Sequence, residues 1–98
     1  MNNKHSFSSN KIAIESLSMD LLRVALGYQR GSEKMAKRFS VEALKRCSEI
    51  EKNEVKPYFA KILGKVDLIL ESVESNRIAD DALMYSILCK NYAITYLS

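Results

Sequence analysis

Two cysteines, Cys47 and Cys89, and the adjacent carboxylates Asp80 and Asp81 are the side chains of this 98-residue chain best suited to covalent or acid–base chemistry. A cysteine nucleophile must be a thiolate, which needs a neighbouring base, a cation or a helix end. The one histidine, His5, belongs to the polar opening stretch "MNNKHSFSSNK" and gives neither thiol a base. Both cysteines fall within apolar stripes at helical spacing, so they are expected to be packing residues. Their separation rules out a Cys-x-x-Cys motif, and two thiols are too few for a zinc site. Two reduced, buried thiols in a cytoplasmic protein are the expectation.

Asp80 and Asp81 do not converge, because neighbours on a helix point about 100° apart. The sequence places them in the first turn of the last helix, where acidic side chains complement the helix dipole. Metal chemistry in a helical bundle calls for inward glutamates and Glu-x-x-His pairs, which a chain with one terminal-region histidine does not supply. Gly27, Gly31 and Gly64 are dispersed and follow no strand, so there is no phosphate loop. The expectation is therefore a protein without catalytic residues, metal or cofactor.

Two further groupings bear on partners. Arg30, Lys34, Lys37, Arg38, Lys45 and Lys52 project within about 60° of one line on the second helix, as a surface laid along a phosphate backbone would. Glu42 and Glu49 border this stripe and are spaced to pair with Lys45, Arg46 or Arg38. The net charge of +3 is too small to argue for nucleic acid by itself, and no aromatic residues are interleaved to stack bases. Nucleic-acid binding is thus the alternative reading. On the last helix Tyr85, Tyr92 and Tyr96 share a side with Cys89, an arrangement suited to an interface or a core.

The elements that carry these residues follow from periodicity and chain breakers. With three glycines and one proline the composition favours long helices over short strands. Residues 1–9 read as a disordered tail without the apolar segment of a secretory signal. Residues 10–98 read as a single helical domain. The first helix is expected over Asn10–Gln29, stopping at Gly31, with Ser32 capping the second helix to Lys52. Pro57 opens a third helix to Glu74, and Ser75 with Asn76 turns the chain into a fourth over Arg77–Tyr96.

At 100° per residue the third helix is one-sided, with Phe59, Ile62, Leu63, Val66, Ile69, Leu70 and Val73 on one stripe. Gly64, on the edge of its polar face, is a candidate for close helix approach. The second helix turns Ala36, Phe39, Ala43, Cys47 and Ile50 inward. The first and fourth each carry two apolar seams. Ile14, Leu17, Leu21, Val24 and Tyr28 oppose Ile12, Met19, Leu22 and Leu26 on the first helix; the tyrosine stripe opposes Leu83, Ile87 and Ile94 on the fourth.

Short connections predict an antiparallel up-and-down four-helix bundle, all-α, with surplus apolar surface on its first and last helices. Monomers seldom expose large apolar patches, so a homodimer or a protein partner is expected, meeting Met19, Leu22, Leu26, Leu88, Tyr92 and Tyr96. A membrane span is not expected: spanning takes about 20 predominantly apolar residues, and Lys90 with Asn91 interrupts a shorter run.

Overall fold

A computed structural model of the chain describes the backbone of residues 3–71 and 75–97 and the side chains of residues 10–71 and 77–97. Four helices form, α1 (Asn3–Gln29), α2 (Glu33–Glu49), α3 (Pro57–Leu70) and α4 (Ser75–Tyr96), with a 3₁₀ turn at Lys52–Glu54. No strand occurs among the described residues, and the packing contacts are those of a bundle measuring 44 × 21 × 20 Å. α1 is the central member, lying against both α2 and α4, while α3 contacts α4 and α2.

Each helix end has a local cause. Gly31, at φ +76°, takes the left-handed position that ends α1. The Ser32 N–H then reaches the Gly27 carbonyl at 2.8 Å and the Gly31 N–H reaches Tyr28 at 3.2 Å, the paired bonds of a Schellman cap. Ser32 does occupy the N-cap of α2, but its hydroxyl makes no capping bond. Pro57 opens α3 from an extended Lys56, as the steric conflict before proline requires.

Several boundaries differ from those read in the sequence. α1 begins at Asn3 instead of Asn10, so helical backbone takes in most of the stretch expected to be a tail. α2 stops at Glu49, and residues up to Glu54 form the 3₁₀ turn and its flanks. α3 ends at Leu70; Val73 and the expected end at Glu74 lie outside the described residues. Because α4 starts at Ser75, Asp80 and Asp81 sit in its second turn, beyond the reach of the terminal dipole, and the dipole role expected of them does not hold.

The core is built from the inward stripes. Ile14, Leu17, Leu21 and Val24 of α1 pack with Ala43 and Cys47 of α2, Phe59, Leu63 and Val66 of α3, and Ala82, Tyr85 and Cys89 of α4. Each large aliphatic or aromatic side chain so buried contributes about 1.5–3 kcal/mol of transfer free energy. α1 and α2 meet closely at Gly27, where an added Cβ would stand 2.8 Å from the Ala36 nitrogen and 2.9 Å from its Cα. Gly64, the position proposed for such an approach, is exposed and has no neighbour within 4 Å of a Cβ. The close contact belongs to Gly27.

Polar groups also join the elements. The buried Asn10 amide donates to the Glu51 carbonyl (3.3 Å) and its oxygen accepts the Glu51 N–H (2.9 Å), tying α1 to the chain after α2. Between α1 and α4, the Ser18 hydroxyl donates to the Ser86 carbonyl (2.9 Å) while the Ser86 hydroxyl donates to the Ser18 carbonyl (2.8 Å). The Lys56 N–H, left over ahead of α3, donates to the Tyr92 hydroxyl at 2.9 Å. Among the described residues no helix is long and apolar enough to cross a membrane.

Candidate functional site

α4 has two apolar sides with different fates. On one side Ile78, Ala82, Tyr85, Cys89 and Tyr92 are buried. Tyr92 stacks on Phe59 with ring centroids 4.0 Å apart, and Tyr96 follows at 5.0 Å from Tyr92. The Lys56 ammonium caps this aromatic run 4.8 Å above the Tyr96 ring. On the other side Ile87 and Ile94 are 51% and 57% exposed, and Leu83 joins them at the surface.

This outer side of α4 adjoins the second seam of α1. Met19 and Leu22 from α1, with Leu83, Ile87, Ala93 and Ile94 from α4, line a groove of about 360 Å³. Ser18 and Ser86 lie within it, and the exposed side chains of Glu15 and Lys90 flank it. Exposed apolar residues elsewhere, such as Val41 on α2 and Leu68 on α3, do not extend this strip. Part of the apolar surplus of the first and last helices thus forms one continuous patch, while the exposed Ile12, Met84 and Leu88 lie outside its lining.

The six expected interface residues divide accordingly. Met19, at 47% exposure, and Leu22 line the groove; Leu26 is half-buried and Leu88 exposed, both outside its lining. Tyr92 is only 4% exposed and is withdrawn from the interface, since its ring is held by Phe59 and its hydroxyl by Lys56. Tyr96 remains accessible but belongs to the aromatic run on the inner side. Leu83, Ile87 and Ile94 are the α4 side chains that share the groove with Met19 and Leu22. Their position opposite the tyrosine stripe was visible on the helical wheel, which orders faces without saying which one turns inward.

Lys34, Lys37, Arg38 and Lys45 are exposed on α2. Arg30, in the turn after α1, and Lys52, in the 3₁₀ turn, are exposed too, so the expected six-residue stripe on one helix is broken at each end. Glu42 and Glu49 turn to Arg46, at 3.9 and 3.2 Å, leaving Lys45 and Arg38 without a carboxylate within 4 Å among the described residues. Lys37 pairs loosely with Glu33 at 3.9 Å, and the Arg38 guanidinium lies over the Phe39 ring. Arg46 also approaches the buried Asp20, whose carboxyl burial pushes above the usual carboxylate range against the opposing pull of Arg46 and Arg23.

The thiols are chemically quiet. Burial pushes both Cys47 and Cys89 up to about 12, with Asp67 adding to the effect at Cys47, so neither offers a thiolate near neutral pH. Among the described residues no three His, Cys, Asp or Glu side chains gather as metal ligands would. What the geometry offers is contact: a narrow apolar groove on one side and an exposed cationic face on α2. No protein-family model, curated protein or solved structure matches the chain.

Proposed function

We propose that the chain is a small, non-enzymatic interaction or regulatory protein that acts through self-association or a protein partner, using the face shared by α1 and α4. The observation that carries this reading is the strip of Met19, Leu22, Leu83, Ile87 and Ile94, five large apolar side chains brought to one groove by two helices. Apolar surface in a contiguous patch is retained by soluble chains chiefly where something covers it. The two unpaired thiols suit a reducing, cytoplasmic compartment.

The helices are arranged up and down in antiparallel order. Supporting pairs are Gly27 with Ala36, Asp20 with Arg46 and Asn10 with Glu51, which advance along α1 as they recede along the following segment. Phe59 with Tyr92, and Ile69 beside Ile78 and Tyr85, do the same for α3 and α4.

The test is a comparison of Ile87→Glu with Val41→Glu, a matched change on the exposed side of α2. Sedimentation velocity across a range of concentrations, and capture from extracts of the native cell, should show an association that Ile87→Glu removes and Val41→Glu keeps. A chain that neither self-associates nor captures a protein in an Ile87-dependent way overturns the reading.

Nucleic-acid binding through α2 is the second reading, favoured by its four exposed cations Lys34, Lys37, Arg38 and Lys45, whose bordering Glu42 and Glu49 are engaged with Arg46. It requires binding to duplex DNA or RNA at low salt that weakens log-linearly as salt rises. Absence of such binding removes it.

A further inference from the structure

We infer that the occupant of the groove is a second copy of this chain, related by a two-fold axis parallel to α1 and α4, with Glu15 of each copy against Lys90 of the other. This rests on the reading of the α1 and α4 face as a docking surface. Two properties of the groove single out a second copy among protein partners.

The first is its charge. Glu15 and Lys90 are both exposed, both flank the apolar floor, and neither has an ion-pair partner within 4 Å among the described residues. A two-fold contact brings a patch onto itself and so demands self-complementarity. One acid and one base on the same patch satisfy that demand, whereas a patch with charge of a single sign would repel its copy.

The second is their level along the helices. Ser18 and Ser86 are hydrogen-bonded to one another, which marks a common height on α1 and α4. Glu15 lies three residues before Ser18, about 4.5 Å along the axis, and Lys90 four residues after Ser86, about 6 Å. With the helices running in opposite senses, both steps lead the same way, and Glu15 and Lys90 stand at nearly one level in a groove that runs on past them to Ala93 and Ile94. Leu22 and Leu83 lie at similar distances toward the other end.

A two-fold axis along the helices exchanges α1 and α4 across the contact while preserving height. Glu15 then meets the other copy's Lys90 twice per dimer, and the Leu22 and Leu83 end meets its own apolar counterpart. An axis across the helices, set at the level of these charges, would instead lay α1 on α1 and α4 on α4, bringing Glu15 toward Glu15 and Lys90 toward Lys90 of the other copy. The lining on α4 runs from Leu83 to Ile94, about 16 Å, and two helices side by side span about 20 Å. That makes roughly 330 Å² in projection, the scale of a weak, concentration-dependent dimer.

The experiment is charge exchange read by sedimentation equilibrium on the full chain, with helicity checked by circular dichroism. Glu15→Lys and Lys90→Glu should each weaken the dimer about tenfold or more, since two attractive pairs become repulsive. Mixing the two variants should restore association as a heterodimer, because every contact across that dimer is again of opposite sign. The double variant, Glu15→Lys with Lys90→Glu, should also dimerise near the original strength.

If the double variant recovers but the mixture does not, the two charges interact within one chain and the inference falls. If the single exchanges change nothing while Ile87→Glu still dissociates the dimer, the register is wrong and the docking face survives. A chain that is monomeric at hundreds of micromolar overturns the second copy, leaving the face to another protein. A dimer indifferent to Ile87→Glu overturns the face as well.

Discussion

Along α4, Tyr85, Cys89 and Tyr92 are buried against the other helices, while Leu83, Ile87 and Ile94, more hydrophobic by residue type, stand at the surface. The difference lies in what faces each side. Phe59 provides a flat ring at stacking distance for Tyr92, and the N–H of Lys56, unpaired ahead of α3, provides a donor for its hydroxyl. The outer side meets only the groove it shares with Met19 and Leu22. Burial within one chain therefore follows the complementary surface available, and residue hydrophobicity only sets which sides are eligible.

Tyr92→Ala should produce the largest loss, about 3–5 kcal/mol in chemical denaturation, because a buried ring leaves a cavity beside Phe59. A loss below about 1 kcal/mol would erase the distinction between the two sides. Gly27→Ala should cost about 1–3 kcal/mol by forcing α1 away from the Ala36 backbone, more than the helix propensity gained. The same measurement on Gly64→Ala should show no loss, since nothing lies within reach there.

Tyr92→Phe isolates the hydroxyl. It should lower stability by about 1 kcal/mol and speed amide exchange at Lys56, whose N–H loses its acceptor. The smallest effect belongs to the outer side: Ile87→Ala should change monomer stability by no more than about 0.5 kcal/mol. A larger loss in the monomer would show that the outer side is a core surface after all.

Much of the fold was legible because α2 and α3 have one apolar side each. Phe59, Leu63, Val66 and Leu70 could only face inward, as could Ala36, Ala43 and Cys47, and all of them are buried. α4 was harder, since a wheel shows two eligible sides and no partner. The tyrosine stripe suits an interface or a core, with Tyr92 and Tyr96 expected at the interface, yet the Tyr92 hydroxyl accepts from the backbone N–H of Lys56, 36 positions away in sequence. Gly27 was likewise indistinguishable from Gly64 by type, because only the opposing Ala36 makes it a contact point. Glu42 and Glu49 are spaced to meet Lys45, Arg46 or Arg38, and both meet Arg46.

The paired serines between α1 and α4 have a consequence beyond their bonds. A helix that is apolar on two sides can bury either one, and non-directional burial by itself puts no sharp stop on its rolling about its own axis. Ser18 and Ser86 supply that stop: any roll or slide would strand two hydroxyls in an apolar seam, each losing its one carbonyl acceptor across the helices. Two of the smallest polar side chains thus act as an orientation key where α4 meets α1, alongside the Phe59 ring and the Lys56 N–H that hold Tyr92 on its other side.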